Sequence, residues 1–317
     1  MTPMFGLHRN DISLHCHPDR AKRVEGSFLK NDRIISIIMS KRSLISAEKF
    51  IQLPDGLMTH YELLGPKNAQ TVVLIHGFSV PYYNLDHTFN FLVKSGFRVL
   101  RYDIYGRGLS DKPITEYSKD FYYKQLKNLL SALKINSQID FIGFSMGAII
   151  AAFFANRHSK LIRRICFISP AGMPTVVPIA LNAIKLPGVG EMIMSLFGNK
   201  ILTSGIKIDL CHPKNFPEYF KKYIPQLKDP GFKHSLLSTF RDGTLFNSEN
   251  EYKELGKKNI RTLLIWGKKD KAMPYKLHEK VIDNIPNIKF YGIDGAGHAS
   301  PYEFPEKVNP ILIDFFK

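Results

Sequence analysis

The sequence is poor in cysteine, which limits the compartment and the chemistry that it supports. Its three cysteines, Cys16, Cys166 and Cys211, are too few and too far apart for the disulfide framework of a small secreted protein. No pair of them has zinc-site spacing, and His15 and His17, beside Cys16, lack a partner cluster that would complete a tetrahedral site. We therefore expect a reducing compartment, the cytoplasm, and no bound metal.

Acidic residues are also scarce: 28 aspartates and glutamates stand against 44 lysines and arginines, a formal net charge of +16. Such an excess attracts anionic partners. However, the basic residues are spread along the chain, and no zinc finger, helix-turn-helix pattern or interleaving of aromatic and basic residues accompanies them. The charge therefore predicts a basic, solvated surface, with weak contact to an anionic membrane surface as an alternative. It gives no reason to expect a nucleic-acid partner.

A long uninterrupted apolar run is missing as well. The apolar block at residues 34–39 is too short and too far from the start for a signal-peptide core. The most apolar stretch, residues 176–198, is broken by proline, glycine and charged residues, so it falls short of the about 18 residues of a transmembrane helix. We expect no membrane span. The pattern of 176–198 favours a helix that covers a substrate channel, with docking on a lipid surface as the alternative.

The first part of the chain shows neither helical nor strand periodicity. We expect residues 1–46 to form a mobile extension. Met39 offers an alternative start, which would leave residues 1–38 outside the native protein. From residue 47 the pattern changes to two strand-like runs around Asp55 and Gly56, which are typical of a hairpin turn.

Strand-like and helix-like runs then alternate, which predicts an α/β protein with a mostly parallel sheet and helices on both faces. Between about residue 173 and residue 258 the alternation is interrupted by short helix-like runs separated by proline and glycine, and after residue 258 it resumes. An insertion of that length predicts a helical cap over the carboxyl edge of the sheet. The predicted domains are an α/β core of residues 47–172 and 259–317 and a cap of residues 173–258.

One serine stands between two glycines at a strand-to-helix junction. The motif GFSMG (143–147) matches the nucleophile elbow, in which Ser145 attacks and the glycines make room for neighbouring backbone. An unaided hydroxyl is a poor nucleophile, so an acid and then a histidine should follow in the chain. Asp270 and His298, both placed after predicted strands, are the candidates for the orienting acid and the general base.

Three other residues, His76, Asp103 and Asp294, are alternatives for the base or the orienting acid. His76 is expected to make structural hydrogen bonds, Asp103 to organise a loop, and Asp294 to lie in the same turn as His298. A tetrahedral intermediate also needs two hydrogen-bond donors. The backbone N–H groups of Phe78 and Met146 are the expected oxyanion hole, because one follows the strand that ends in HG and the other follows the nucleophile.

These motifs together resemble the α/β-hydrolase superfamily over about residues 47–317. The resemblance rests on HGFS (76–79), YDIYGRGLSDKP (102–113), GFSMG (143–147), WGKKD (266–270) and GAGH (295–298), in that order. It implies the α/β-hydrolase fold, with an eight-stranded, mostly parallel sheet and a helical cap after the sixth strand. It also implies a serine esterase or lipase-like hydrolase that needs no cofactor. Ser145 stands where epoxide-hydrolase-like members carry an aspartate.

Three hypotheses for the function remain open. The first is hydrolysis of carboxylic esters with an apolar acyl chain, such as a monoacylglycerol, through an acyl-enzyme, because the predicted cap is apolar. The second is hydrolysis of a carbon–carbon bond in a ring-cleavage product, whose carboxylates would need a cation such as Arg241 from the cap. The third is a non-catalytic binding module. The expected partner is a small-molecule ester or lipid, and the expected assembly is a monomer or a dimer.

Overall fold

A computed structural model of the chain describes residues 49–175 and 182–317. Within them, eight strands form one sheet. The strands are β1 (Lys49–Gln52), β2 (Met58–Leu64), β3 (Thr71–Ile75), β4 (Arg98–Tyr102), β5 (Ile139–Phe144), β6 (Ile162–Ile168), β7 (Arg261–Gly267) and β8 (Lys289–Ile293). Their order across the sheet is β1-β2-β4-β3-β5-β6-β7-β8. The predicted eight-stranded α/β-hydrolase sheet is confirmed.

Helices connect most of the strands. They are α1 (Asp86–Lys94), α2 (Lys119–Ala132), α3 (Met146–Arg157), α4 (Val189–Leu196), α5 (Gly198–Lys207), α6 (Pro217–Tyr223), α7 (Pro230–Asp242), α8 (Glu249–Gly256), α9 (Leu277–Asn284), α10 (Ser300–Glu303) and α11 (Pro305–Phe316). In α3 the predicted and observed bounds agree, because the elbow fixes its start. Five of these helices, α4 to α8, lie between β6 and β7.

The sheet is antiparallel only at one edge. β1 pairs with β2 and β2 with β4 in antiparallel register, whereas every other neighbouring pair is parallel. The β1–β2 hairpin turns at Gly56, whose φ of +83° suits glycine. Because β3 and β5 to β8 run in the same direction, the loops that follow them meet at one edge, where ligands bind in such sheets.

Two apolar layers cover the sheet, one on each face. Alternate residues of the central strands point to opposite layers: Val73 and Ile75 of β3 belong to one, and Val72 and Leu74 to the other. Helices α2, α3, α8 and α9 contribute side chains to the first layer, and α1 and α11 to the second. Strands buried on both faces explain the continuous apolar runs of the sequence.

The segment between β6 and β7 divides into two parts. Helix α8 packs on α3, and the Tyr252 hydroxyl of α8 donates to the Ala171 carbonyl over 2.6 Å, so this helix belongs to a layer beside the sheet. The helices before it carry the walls of a cavity above the strand ends. The boundaries 47–172, 173–258 and 259–317 stay predictions, and the expectations for residues 1–46 lie outside the described residues. No helix in the described ranges is long and apolar enough to cross a membrane.

Candidate active site

Ser145 lies at the turn between β5 and α3. Its backbone has φ +52° and ψ −117°, a conformation that costs a residue with a side chain of the order of 1–3 kcal/mol. Neighbouring backbone holds it there: the Ser145 N–H donates to the Ile168 carbonyl over 3.0 Å, and the Ser145 carbonyl accepts from Ala171 over 3.2 Å. At such an elbow the hydroxyl stands clear of the sheet at the carboxyl ends of the strands. Ser145 is buried and lines a cavity, so the local geometry fits a nucleophile held on a rigid support.

The glycines on either side of Ser145 are required by close backbone. A methyl group on Gly143 would collide with the backbone of Ala148, and one on Gly147 would collide with the carbonyl oxygen of Ile75. Both contacts are with main chain, which cannot rotate away as a side chain can. The spacing of glycines that identified the elbow in the sequence thus has a steric cause in the fold.

His298 and Asp270 are brought together from neighbouring strand ends. Asp270 follows β7 and His298 follows β8, and the N–H of Lys269 donates to the carbonyl of Ala296 over 2.8 Å, which ties the two loops. Nδ1 of His298 lies 2.8 Å from Oδ2 of Asp270. The other oxygen of Asp270 accepts two backbone N–H groups of its own loop, over 2.9 and 2.8 Å. The carboxylate is therefore fixed, and it fixes the imidazole.

The electrostatics of His298 suit a general base. Burial alone would lower its pKa, but the charge of Asp270, the hydrogen bond to it and the charge of Asp209 outweigh burial and raise the pKa above its ordinary value. Because Asp270 accepts the Nδ1 proton, Nε2 is left as the basic nitrogen. Within the described residues no hydrogen bond joins this ring to the Ser145 hydroxyl, although both side chains line one cavity. Such contacts are often long in free enzymes and tighten with substrate.

Of the two predicted oxyanion donors, Phe78 lines the cavity and Met146 follows Ser145 directly in the chain. Met146 is the first residue of α3, so its N–H has no intrahelical partner and belongs to the positive end of the helix. Phe78 follows β3 and lines the cavity with Ser145. The Phe78 carbonyl accepts a hydrogen bond from Nε of Arg107 over 2.8 Å, which holds the loop just after the predicted donor. The arrangement fits an oxyanion hole, and the role of both donors stays a prediction.

Arg107 is a structural residue that the sequence did not single out. It is fully buried, and its guanidinium also donates to the hydroxyls of Tyr122 on α2 and Thr239 on α7, over 2.9 and 3.0 Å. It thereby joins three parts of the fold: the loop after β3 that carries Phe78 (the oxyanion loop), helix α2 of the core, and helix α7 of the segment between β6 and β7 (the inserted segment). In the sequence, its place in the motif YDIYGRGLSDKP was the signal that could have indicated this structural role.

His76 and Asp103 organise loops, as expected. Asp103 accepts hydrogen bonds from Nδ1 of His60 over 2.8 Å and from the N–H of Leu109 over 2.9 Å. Nε2 of His76 accepts the N–H of Ile104 over 2.9 Å, so this nitrogen is not a free base. Burial lowers the pKa of His76 to about 4, although the charge of Asp103 opposes the shift. His76 is therefore neutral and structural.

Ser145 and His298 open into a cavity of about 200 Å³, named here the triad cavity. Its wall comes from the oxyanion loop, the elbow and the loops after β6 and β7. The lining residues are Gly77, Phe78, Ser79, Val80, Asn84, Phe144, Ser145, Ala171, Asp209, Phe240, Leu245, Phe246, Ala272, Met273 and His298. Most of this surface is apolar, which excludes bulk water from the reacting groups.

A second cavity, of about 300 Å³, adjoins the first and is named the cap cavity. The two share Phe78, Ser79, Asp209, Phe240 and Ala272 in their walls. The rest of the cap cavity is lined by aliphatic residues and one glycine from the helices between β6 and β7: Ile184, Met194, Ile201, Leu202, Gly205, Ile206, Ile208, Leu236 and Leu237. A ligand with its reacting group at Ser145 can therefore extend an apolar chain between these helices.

Two polar residues of the triad cavity wall were missed by the sequence analysis. Asn84 is buried, and neither polar atom of its amide has a hydrogen-bond partner in the described residues. Asp209 comes from the segment after α5, is half-buried and lines the cavity. Neither residue lies in a recognisable motif, because each reaches the site through the tertiary fold.

Two candidates of the sequence analysis lie away from the site. Arg241, considered as a cation for substrate carboxylates, binds Glu191 and the carbonyls of Lys185 and Leu186, and it lines neither cavity. It lies near the end of α7, between β6 and β7, and its side chain is satisfied within that segment. Asp294 is 81% exposed and pairs with Lys268, so it is not the acid that orients His298.

Comparison with known sequences gives one family. A model described as alpha/beta hydrolase fold matches residues 70–305. The chain is 26% identical over 299 residues to a 2-hydroxy-6-oxononadienedioate/2-hydroxy-6-oxononatrienedioate hydrolase of Paraburkholderia xenovorans (strain LB400), covering 85% of this chain and 95% of that protein. It is also 26% identical over 277 residues to Lipase 3 of Moraxella sp. (strain TA144), covering 84% of each. One of these similar proteins is thus named for a dioate substrate and the other as a lipase.

A solved structure supports the same fold. The esterase EaEST from Exiguobacterium antarcticum superimposes with a TM-score of 0.71 over 84% of this chain and 98% of that one, at 23% sequence identity. At that identity the likeness concerns the fold alone. Since the family model covers most of the chain, and the sheet order and elbow agree with it, the chain belongs to the α/β-hydrolase fold family and is a hydrolase.

Proposed function

We propose that this hydrolase cleaves carboxylic esters that carry an apolar acyl chain, by forming an acyl-enzyme on Ser145. The observation that carries the proposal is the pair of adjoining cavities, one holding Ser145 and His298 and the other lined by aliphatic side chains. An ester carbonyl at the first cavity and a hydrocarbon chain in the second would fill both. Similarity to Lipase 3 of Moraxella sp. supports the same substrate class.

Acylation begins at the serine hydroxyl. Oγ of Ser145 attacks the ester carbonyl carbon while Nε2 of His298 takes the hydroxyl proton, and Asp270 stabilises the imidazolium. The negative oxygen of the tetrahedral intermediate accepts the N–H groups of Phe78 and Met146. Collapse of this intermediate breaks the bond to the leaving alcohol, which receives the proton from His298. The acyl group is then bound to Ser145 as an ester.

Deacylation repeats the same steps with water. Nε2 of His298 removes a proton from the water molecule, whose oxygen attacks the acyl carbon. The second tetrahedral intermediate uses the same two backbone donors. Its collapse returns the proton to Oγ of Ser145 and releases the carboxylic acid. No further cofactor is needed, because every proton that leaves one group is accepted by another.

The test combines covalent labelling with turnover. Purified wild-type protein is treated with a fluorophosphonate probe and assayed with nitrophenyl esters from acetate to decanoate, beside Ser145→Ala and Ser169→Ala. Ser169 is the matched control, because it is another buried serine with positive φ at a strand end. We expect Ser145→Ala to lose labelling and turnover while Ser169→Ala keeps both. Turnover should peak at one chain length that the cap cavity sets.

Failure would take one of two forms. Labelling without turnover of any ester in the series would remove the ester substrate class and leave a serine hydrolase. No labelling of correctly folded wild-type protein would remove the nucleophile and favour the hypothesis of a non-catalytic binding module. Circular dichroism and thermal unfolding of each variant establish that the proteins compared are folded.

Carbon–carbon bond hydrolysis is the second candidate, because the Paraburkholderia relative is named for a dioate substrate. Such a substrate carries carboxylates, which a site binds best through cations. Among the described residues, neither cavity has a lysine or arginine in its wall, and Arg241 is bound to Glu191. Turnover of a ring-cleavage dienedioate faster than of every nitrophenyl ester would favour this candidate over esters.

Contact with an anionic membrane surface is a further part of the proposal. Exposed large apolar side chains of the described residues concentrate between β6 and β7: Leu186, Met192, Leu196, Phe197, Ile201, Ile208 and Ile224. Exposed Lys200 and Lys207 lie on α5 among them, so the surface combines apolar and positive groups. Such surfaces bind anionic lipid by partial insertion and charge attraction.

Vesicle sedimentation tests this contact. We expect wild-type protein to sediment with phosphatidylserine-containing vesicles more than with phosphatidylcholine vesicles, and Phe197→Ser to reduce the bound fraction. Phe91→Ser is the matched control, because Phe91 is an exposed phenylalanine on α1, outside this surface. Equal loss in both variants, or no binding by wild type, would contradict the proposal. Either a monomer or a dimer could present this surface to a membrane.

A further inference from the structure

Asp209 is the one carboxylate that the inserted segment contributes to both cavities. It lies just after α5, and it is part of the wall shared by the triad cavity and the cap cavity. Asp270, the other acidic group near His298, is engaged by the imidazole and by two backbone N–H groups. The Asp209 side chain is therefore the acidic group that faces the space a substrate would occupy.

The backbone around Asp209 is anchored to the loop that carries His298. The N–H of Ala299 donates to the carbonyl of Asp209 over 2.8 Å. The next residues are fixed as well, because the N–H groups of Cys211 and His212 donate to the two carboxylate oxygens of Glu303, over 2.8 and 2.6 Å. These hydrogen bonds, at Asp209 itself and at the two residues Cys211 and His212, hold the segment that carries Asp209 against the chain that follows His298.

Among the described residues around Asp209, His298 is a basic neighbour, and no lysine or arginine lines the cavity walls. The pKa of Asp209 is raised to about 6, because burial outweighs the charge of His298; the charge of Asp270 adds to the rise, and Tyr219 opposes it. Tyr83 and Tyr223 are the other titratable groups that interact with it, and both are neutral because burial raises their pKa. Near pH 8, Asp209 therefore carries a negative charge beside the reacting centre.

We propose that Asp209 sets the charge selectivity of the active site, excluding substrates with a negative charge beyond the ester and admitting uncharged or cationic ones. The proposal rests on the ester hydrolase function proposed above and narrows its substrate class. A carboxylate on the substrate would lie in a cavity whose described wall has no lysine or arginine and contains the carboxylate of Asp209. Repulsion in such a low-dielectric site is strong, and it acts as a barrier to the wrong substrate.

The test compares three nitrophenyl esters of equal acyl length that differ only in the terminal group. They are the hexanoate, the ω-carboxyl ester (mono-nitrophenyl adipate) and the ω-amino ester (nitrophenyl ω-aminohexanoate). Each is assayed at about pH 8, above the ordinary pKa of carboxyl groups and below that of amines. The readout is the ratio of kcat/KM for the amino ester to that for the carboxyl ester, because both charged groups lose hydration on entry.

The variant is Asp209→Asn, which keeps the shape of the side chain and removes its charge. We expect wild type to favour the amino ester over the carboxyl ester by about tenfold or more, and the variant to reduce this ratio at least about fivefold. The change should lie mainly in KM. The acid limb of the pH profile should also move to lower pH, because the charge of Asp209 helps to raise the pKa of His298.

Asp294→Asn is the matched control. Asp294 is close to His298 in sequence, but it is 81% exposed, pairs with Lys268 and lines neither cavity. It should leave the ratio and the pH profile unchanged. An effect of equal size in both variants would mean that overall charge, not the position of Asp209, governs selection, and would overturn the proposal.

The outcomes separate this proposal from the one on which it rests. Turnover of the hexanoate with the same amino-to-carboxyl ratio in wild type and Asp209→Asn would overturn the role of Asp209 alone. A wild-type preference for the carboxyl ester would do the same and would support a dioate-type substrate. No turnover of any of the three esters by folded wild type would overturn both proposals.

Discussion

The sheet core and the segment between β6 and β7 hold their residues in different ways. At the elbow, a single added methyl group on Gly143 or Gly147 would meet main-chain atoms of β3 or α3. On α5, an added methyl group at Gly205 would meet no atom within 4 Å. The elbow is therefore held by steric exclusion and backbone hydrogen bonds, whereas the wall of the cap cavity has open space at Gly205. The two regions differ in how much change they tolerate at these positions.

The largest effect should come from the core contact between Asp270 and His298. In Asp270→Asn, one amide oxygen can still accept the backbone N–H groups, but the amide N–H₂ faces Nδ1 and forces the wrong imidazole tautomer. We expect kcat for ester hydrolysis to fall by about 10⁴-fold with little loss of stability. Steady-state kinetics and thermal unfolding measure the two quantities. A loss below about tenfold in kcat would show that another acid orients the base.

The second prediction compares one glycine from each region. Gly147→Ala should lower the free energy of unfolding by about 3 kcal/mol, because the methyl group collides with the Ile75 carbonyl. Gly205→Ala should instead raise it by about 0.5–1 kcal/mol, because alanine favours the helical backbone and meets open space. Urea unfolding of both variants measures the difference. Similar values in the two variants would contradict the comparison between core and inserted segment.

The third prediction concerns the wall of the cap cavity. Ile201 lines this cavity of about 300 Å³ and is 39% exposed, so Ile201→Trp can enter the cavity without disturbing the core. We expect kcat/KM for nitrophenyl decanoate to fall about tenfold while that for the acetate is unchanged, since a short chain does not reach this wall. Ile114→Trp, at an exposed isoleucine outside both cavities, is the control. A parallel fall for both esters would place the acyl chain elsewhere.

The smallest expected effect is on the pH profile. His298 accepts a proton only as neutral imidazole, and its pKa is raised above the ordinary value. Activity should therefore be lost as pH falls through a pKa above about 6.5, not below it. The pH dependence of kcat/KM for an uncharged ester measures this value. A half-maximal rate below about pH 6 would mean that burial outweighs the neighbouring carboxylates.

Local patterns were enough to predict the core. The alternation of strands and helices predicted the elements from β3 to β6 and, apart from the short helix α10, those from β7 to α11, and the elbow motif predicted the start of α3 at Met146. The motifs WGKKD and GAGH placed Asp270 and His298, which the fold brings to 2.8 Å of each other. These residues were predictable because each sits at a strand end, and the ends of parallel strands meet at one edge.

Residues in the inserted segment were less predictable. Arg241 was selected only for its position, and the fold pairs it with Glu191. Helix α8 was assigned to the cap, yet it packs on α3. Asp209 in this segment, like Asn84 in the loop after β3, had no motif at all, since its importance depends on which cavity it faces. Short helices between prolines and glycines can pack in several ways, so periodicity does not specify their partners.

The sequence by itself determined the fold family, the elbow that carries Ser145 and the order of the candidate residues around it. Those features follow from short-range rules: strand and helix periods, glycine where backbone is close, and polar residues at strand ends. Only the tertiary structure decided that the cavity is apolar, that no described basic side chain lines it, and that Asp209 lies beside His298. Charge and shape in a cavity depend on contacts between distant segments, and these contacts carry no local pattern.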